Sequence, residues 1–529
     1  MTTDLPPATR RSGAPDRVEV AIIGAGFAGL GMAMALRRAG RESFLVLERG
    51  DGVGGTWRDN TYPGVACDVP SHLYGFAAHP NPHWSGVYAR GDEIRDYLVE
   101  VARREDVGER MRLRTPMLSA SWIEAASGAG RGAGFWRIET GGDHAGVIEA
   151  DALVLACGRL TEPEVPEIAG LETFPGALFH SARWDHATEL DGARIAVVGT
   201  GASAVQLVPE LARRAAHVTL FQRTPAWIVP RGARPYAVEE RELFAARPDL
   251  LDRLRAQLYA EGEARFASRS GDAAAAADAR EAALAHLHAQ VADTTLRAQL
   301  TPDYAFGCKR VLLSDEFYPA VASDRVTLEP GALVSAEGST LVSATGERHE
   351  ADVLVLATGF ASTRQPYAGL VRGVDGVTLD EHWDEGMTSF GSTVVSDFPN
   401  LFVLNGPNAS LGHNSSVLMV EEQAAYAVRA LALRAVAPGG VLRVDPAVER
   451  AYTDEIGRAA ASTPWLTGGC RNWYVDDRSG RLTLLWPGTV DAFRSRLARA
   501  DGSEFLHIRM TSEGPGRRDR EPSLRGEDT

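Results

Sequence analysis

Cysteine is scarce. The 529 residues hold four, at positions 67, 157, 308 and 470, with no closely spaced pair. That scatter argues against a CxxC metal site or a dithiol redox pair and fits reduced thiols in a cytosol. Long apolar runs are missing as well. None approaches the roughly 18–20 residues of a membrane span, and the first 17 residues are polar, without the apolar stretch of a signal peptide. Positive charge is in deficit: 55 Lys and Arg stand against 70 Asp and Glu, a net charge of −15. Nucleic acid and anionic membrane surfaces are therefore poor partners. What remains, 44% hydrophobic and 24% charged, is an ordinary soluble globular composition. Its length calls for two or three domains.

Glycine, by contrast, is plentiful at 54 residues, and its placement is informative. The run Val18 to Leu30, VEVAIIGAGFAGL, breaks into Gly24-x-Gly26-x-x-Gly29. A buried parallel strand passes through a tight glycine turn into a helix, whose free N-terminal amides face a pyrophosphate. The next strand, ESFLVLE, ends in Glu48, about 20 residues on, where a carboxylate accepts ribose hydroxyls. The motif recurs. ARIAVV leads into Gly199-x-Gly201-x-x-Ala204, and the following strand HVTLFQ ends in Arg223-Thr224 rather than an acid. A guanidinium and a hydroxyl there suit a 2′-phosphate. FAD in the first site and NADP in the second is the economical assignment. The fold class expected is α/β, with two Rossmann-like dinucleotide-binding domains and the NADP domain inserted in the FAD domain.

Between and beyond these units the organisation reads as follows. Residues 1–17 are expected to be a flexible leader. Residues 18–160 form the first part of the FAD domain, including an antiparallel hairpin arm, and close with the strand DALVLAC. Residues 161–355 form the NADP domain, with a helical insertion or lid at about 235–300 rich in Ala, Glu, Arg and Leu. The strand ADVLVLAT at 351–358 echoes DALVLAC and is read as the return to the first domain. Residues 356–508 complete the FAD domain, and 509–529 are expected to be a disordered tail.

Three stretches together resemble the Baeyer–Villiger monooxygenases, the class B flavoprotein monooxygenases. Phe174-x-Gly176-x-x-x-His180-x-x-x-Trp184-Asp185 fits that family's fingerprint at every position. Gly54-Gly55-x-Trp57-x-x-x-x-Tyr62-Pro63-Gly64-x-x-x-Asp68 fits its second signature. Phe306-Gly307-Cys308-Lys309-Arg310 resembles the segment bearing the active-site arginine. The related amine- and sulfide-oxygenating enzymes usually have Tyr or Phe where this chain has Trp184-Asp185. Two departures stand out, Thr61 and Ala66, where many members carry arginines in the tyrosine–proline loop.

The resemblance implies an NADPH- and O2-dependent monooxygenase that inserts oxygen beside a ketone carbonyl, through a C4a-peroxyflavin, to give an ester or lactone. It implies Arg310 as the electrostatic catalyst, with Asp68 holding it. A guanidinium stabilises anionic oxygen without giving up its proton. It assigns Gly24, Gly26, Phe27, Ala28, Gly29, Glu48, Gly55, Thr56, Trp57, Asp68, Tyr74, Met117 and Val417 to FAD. It assigns Thr200, Gly201, Ala202, Ser203, Ala204, Gln206, Arg223, Thr224, Lys309 and Arg310 to NADP. Phe174, Gly176, His180, Trp184 and Asp185 are assigned to coupling the two domains. No metal is implied. A sulfide or amine oxygenase is the enzymatic alternative, and a non-catalytic flavoprotein the alternative of another class. The expected setting is cytoplasmic, with a small ketone and O2 as partners.

Overall fold

The computed structural model describes residues 16–124 and 133–507. Two sheets organise the chain. The first has eight strands. Its spine is Asp16–Ile23, flanked in parallel by Phe44–Leu47 and Gly146–Leu155. The arm Met117–Glu124 and Gly134–Thr140 continues antiparallel from Gly146–Leu155. Val20, Ala21 and Ile22 are wholly buried, the pattern of a parallel strand covered on both faces. On one face the helix Phe27–Arg38 shares a core with the helix Ser416–Leu433, through Met32, Ala33 and Leu36 on one side and Val420, Ala424 and Ala427 on the other.

The second sheet is all parallel: Val326–Glu329, His217–Phe221, Arg194–Val198, Val353–Leu356 and Ala177–His180, in that order. The helix Ala202–Arg214 packs on it through Val205, Leu207, Val208 and Leu211. Residues 238–300 are helical as composition foretells, in the segments Val238–Ala246, Pro248–Ala264, Ala267–Ser270, Ala273–Gln290 and Thr294–Leu300.

Several details differ from the expectations. Asp16 and Arg17 belong to the first strand rather than to a leader. The rest of the leader, and the tail from residue 508, lie outside the described residues. ADVLVLAT does not return to the first sheet: Val353–Leu356 lies in the middle of the second, between Arg194–Val198 and Ala177–His180. Its likeness to DALVLAC is that of equivalent strands in two similar units, not of neighbours. The return is made by Val371–Arg372, which pairs with Ala120 and Ser121, and by Leu401–Val403, which pairs with Leu153–Leu155. The fingerprint segment is itself structured, its Ala177–His180 forming the edge strand of the second sheet.

The cysteine reading needs the largest correction. Cys308 and Cys470 form a disulfide across 162 residues of sequence, and the free thiols are Cys67 and Cys157. Separation along the chain concealed a pairing that only the tertiary fold creates. Among the described residues, no helix is long and apolar enough to cross a membrane.

Candidate active site

The first glycine turn is required by close approach. Gly24 has φ +109°, and a Cβ there would stand 2.5 Å from the Ala156 carbonyl oxygen. A Cβ on Gly29 would meet the Gly24 oxygen at 1.8 Å. Gly26 begins the helix and no side chain caps it, so the amides of its first turn, at Phe27 and Ala28 among others, keep their donors for a ligand. A Cβ at Gly26 would point at the Cα of Gly55, 3.6 Å away, into the gap between the two glycine loops. This cradle fits a dinucleotide diphosphate. Glu48 is buried and accepts from the Ala25 amide at 2.8 Å and the Gly50 amide at 2.7 Å. Arg58 pairs with it at 3.0 Å. These contacts occupy both sites on Oε1 and one on Oε2, leaving one on Oε2 for a ribose hydroxyl.

Past this turn stand aromatic rings. Phe27 meets Tyr74 edge-on at 5.0 Å, and Trp57 donates from Nε1 to the Tyr74 hydroxyl at 3.3 Å. Thr56 opens the short helix Thr56–Asp59 that carries Trp57. Val417 lies in the first turn of the helix Ser416–Leu433, its amide bonded to Ser415 Oγ at 3.3 Å. Met117 is placed differently, in the core on the side of the sheet that holds Leu153 and Leu155.

The second turn repeats the device. Gly199 has φ +108°, and its Cβ would come within 2.6 Å of the Ala357 oxygen. Gly201 starts the helix uncapped with open space around it, leaving the amides of Ala202 and Ser203 free of side-chain caps. Ala204 is wholly buried where the first unit has Gly29. Thr200 Oγ1 donates to the Thr224 carbonyl at 2.9 Å, tying the turn to the end of the next strand. There a cleft of about 670 Å³ opens, lined by Arg223, Thr224, Tyr304, Lys309, Cys470 and Arg471. Lys309 lies over the Tyr304 ring at 5.0 Å. Burial, and then the charge of Arg223, hold its ammonium below the usual lysine range. Gln206 does not face this cleft. It bonds the Tyr62 hydroxyl at 3.0 Å and the Ala66 carbonyl at 2.9 Å, docking the tyrosine–proline loop of the first unit on the helix of the second.

Arg310 and Asp68 meet across 242 residues of sequence. Arg310 donates from Nε at 2.9 Å and Nη2 at 2.5 Å, both to Asp68 Oδ2. Each side chain keeps about a quarter of its surface exposed, 28% and 27%. Burial opposes ionisation of Asp68, but the adjacent guanidinium outweighs it and the carboxyl falls below its ordinary range. Asp68 in turn raises the Arg310 pKa, against the effect of burial. The pair is permanently charged at any physiological pH.

The fingerprint residues are structural in this geometry. Phe174 packs on Leu354 and Leu356, and a Cβ on Gly176 would lie 2.0 Å from the Asp352 oxygen. His180 accepts the Ala182 amide at Nδ1, and burial pushes its pKa down to about 4. Trp184 meets Phe179 edge-on at 4.9 Å, while Asp185 closes a turn onto Ala187 and Thr188. Thr61, one of the two departures, bonds His186 at 2.7 Å just beyond the fingerprint.

Three residues around the Arg310 pair escape sequence reasoning: Arg159, Arg269 and Tyr474. Tyr474 is buried and lies within electrostatic reach of Arg310, Arg269, Asp68 and Arg159. No motif carries them, because they come from three distant parts of the chain.

Residues 17–240 match the model of the flavin-binding monooxygenase-like family. A Baeyer–Villiger monooxygenase from Streptomyces coelicolor is 42% identical over 496 residues, 93% of each chain. The chain belongs to the Baeyer–Villiger monooxygenase family. Another Baeyer–Villiger monooxygenase, from Pseudomonas aeruginosa, is 39% identical over 97% of this chain and 94% of its own. Among solved structures, a Rhodococcus cyclohexanone monooxygenase bound to NADP+ superposes with TM-score 0.80 at 27% identity, covering 92% of this chain and 97% of its own. OTEMO in complex with FAD and NADP superposes at 0.82 and 26% identity, covering 93% and 99%. The two-sheet architecture of this Baeyer–Villiger chain is thus the one on which those enzymes hold their cofactors.

Proposed function

We propose that the protein is an NADPH-dependent flavoprotein monooxygenase that converts a ketone to an ester or lactone. The balance is ketone, O2, NADPH and a proton to ester, NADP+ and water. Residues 18–160 and 356–508 hold FAD, with its diphosphate at Gly26, a ribose at Glu48 and the ring system beside Trp57 and Tyr74. Residues 161–355 hold NADPH, with its diphosphate at Gly201 and its 2′-phosphate at Arg223 and Thr224. Bound FAD supplies the hydride acceptor and the activation of O2.

The observation that carries the reading is the Asp68–Arg310 pair, which joins the tyrosine–proline loop of the first unit to the residue after Lys309 at the rim of the second cleft. Arg310 presents N–H donors and a fixed positive charge to the anionic oxygen that develops when a ketone carbonyl is attacked. Its proton stays in place, so the attacking oxygen is not quenched. Asp68 takes the Nε edge and one Nη2 hydrogen, aiming the rest of the guanidinium. Lys309, beside the second cleft, contributes binding of NADPH. The need for NADPH favours a cytoplasmic setting, and the Cys308–Cys470 disulfide weighs against it.

The test is incubation of FAD-loaded protein with a ketone, NADPH and isotopically labelled O2. One labelled oxygen in the ester and one in water is the expected outcome. Consumption of NADPH with all oxygen appearing as hydrogen peroxide, for every ketone tried, would sink the proposal.

A further inference from the structure

The second cleft is flanked by two stretches of irregular backbone. One is the segment 304–310, which ends in Lys309 and Arg310. The other is the loop 468–472, which follows the short helix Pro464–Thr467. Tyr304 and Lys309 line the cleft from the first, and Gly469, Cys470 and Arg471 from the second. Among the described residues no sheet ladder joins them. The segment 304–310 has an anchor of its own: Tyr304, Phe306 and Cys308 are buried in one apolar cluster with Trp227 and Val311. The loop is held more lightly. The Gly468 carbonyl accepts from the Ala305 amide at 2.9 Å, and the Cys308–Cys470 disulfide makes the second tie. Asn472 and Arg471 bond within their own neighbourhood, to the Trp465 carbonyl at 2.8 Å and to Asp477.

The two sulfurs differ in access. Cys308 is wholly buried, whereas Cys470 is half-buried and opens on the cleft. Disulfides in reducing compartments are usually transient and redox-sensing. We infer that the Cys308–Cys470 disulfide is a redox latch on the coenzyme cleft. Oxidised, it holds the loop 468–472 as the cleft's second wall, and NADPH binds tightly. Reduced, it releases the loop, and the affinity falls. The reductant is of the dithiol class. Its thiolate bonds to Cys470 Sγ, the Cys308–Cys470 bond breaks, and the electron pair leaves on Cys308 Sγ, which takes a proton. The reductant's second thiolate then displaces Cys470 Sγ, which is protonated in turn. Two protein thiols and one reductant disulfide result. Bound coenzyme covers that route. By linkage, the factor that the disulfide adds to coenzyme affinity is the factor by which coenzyme protects the disulfide. The segment bearing Arg310 keeps its apolar anchor in either state, so coenzyme affinity changes and the Asp68–Arg310 pair does not. The inference rests on the seating of NADPH at Arg223 proposed above, and deepens it by naming the regulation of that site.

The test follows anaerobic reduction of bound FAD by NADPH. It compares FAD-loaded protein that is untreated, treated with dithiothreitol, or treated and then reoxidised with oxidised glutathione. Denatured untreated protein should show two titratable thiols, Cys67 and Cys157, and the treated protein all four. Treatment should raise the apparent Kd for NADPH about three- to tenfold, the scale of ordering one or two side chains on binding. FAD content and the limiting rate should stay nearly constant, and reoxidation should restore the Kd. Saturating NADP+ should move the disulfide midpoint in a dithiothreitol redox buffer to a more reducing potential, by about 30 mV for a tenfold effect. These comparisons need no variant, so they stand even if a substituted protein fails to fold. Cys470→Ser is expected to show the Kd of the treated protein and no response to dithiothreitol. Equal Kd in the two redox states would overturn the latch. So would four thiols in protein exposed to oxidised glutathione, or a response that persists in C470S. Arg223→Ala separates this inference from the reading beneath it. It should weaken NADPH binding to the oxidised protein; if it does not, the coenzyme is seated elsewhere and the latch falls with that seating. Ketone oxygenation with labelled O2 reads the monooxygenase proposal independently.

Discussion

The two nucleotide-binding units share a backbone and differ in what ends their second strand. In each, a glycine at φ close to +110° abuts a carbonyl of a neighbouring strand, at 2.5 Å for Gly24 and 2.6 Å for Gly199. In each, a helix starts without a side-chain cap. The third motif position then separates them. Gly29 lies against the Gly24 oxygen, whereas Ala204 is accommodated, so the first helix sits closer to its turn. The strand ends separate them further. Glu48 is buried among two amides and Arg58, while Arg223 is exposed at the rim of a cleft. The turn geometry serves any dinucleotide. On the cofactor assignment proposed above, the discrimination between a free and a phosphorylated ribose falls to Glu48 in one unit and Arg223 in the other.

The comparison breaks most sharply if the third residue of the second unit is written into the first. Gly29→Ala places a methyl group 1.8 Å from the Gly24 oxygen. The helix must move, at a cost of roughly 3 kcal/mol, and we expect purified protein without FAD, measured by flavin absorbance after denaturation. Next comes the paired cation. Arg310→Ala is expected to lower kcat for ketone oxygenation by about 10²–10³, the usual loss for an anion-stabilising donor, with FAD content retained. Turnover within twofold of the unaltered enzyme would remove Arg310 from the mechanism. The exposed cation at the cleft rim matters less. Arg223→Ala should raise the KM for NADPH about tenfold and leave that for NADH nearly constant, narrowing the coenzyme preference.

Acid sharpens the comparison through one histidine in each region. His72 and His180 are both buried, and burial brings each down to about 4. Each is neutral when folded but takes a proton when unfolded below about pH 6.5. Their stability contribution is therefore full above that pH and declines as pH falls toward 4. The loss is about 1.4 kcal/mol per pH unit for each histidine. Urea midpoints between pH 7 and 4 should fall accordingly, and His180→Gln should reduce the slope by about 1.4 kcal/mol per pH unit. A slope unchanged by that substitution would locate the titration elsewhere. The smallest effect is the reverse exchange, Ala204→Gly. It should cost about 1 kcal/mol of helix stability and leave NADPH binding close to its original value.

These contrasts also explain what the sequence made legible. Both glycine turns, Glu48 and Arg223-Thr224 are local: strand, turn and helix lie within about 30 residues, and periodicity reveals them. The Asp68–Arg310 contact is not local; only the resemblance to a family implied it. The same resemblance assigns Gln206 to NADP; its amide bonds Tyr62 and Ala66, partners that residue spacing does not reveal. ADVLVLAT looked like a partner of DALVLAC because equivalent strands in two similar sheets need the same apolar run. The pairing of Cys308 with Cys470 depends on how loops fold over one another. Residue spacing holds no record of that.

The bonds from Gln206 have one further consequence. Ala66, whose carbonyl Gln206 holds, is two residues from Asp68, and Asp68 aims Arg310. The loop that begins at the flavin-side glycines is thus pinned at its far end to the helix of the other unit. If the two units pivot, that helix carries the carboxylate with it, as a tiller turns a rudder. The bearing of the guanidinium is thus tied to both units, since Val65 and Cys67 on either side of Ala66 also bond Gly91 and Ala89 of the first.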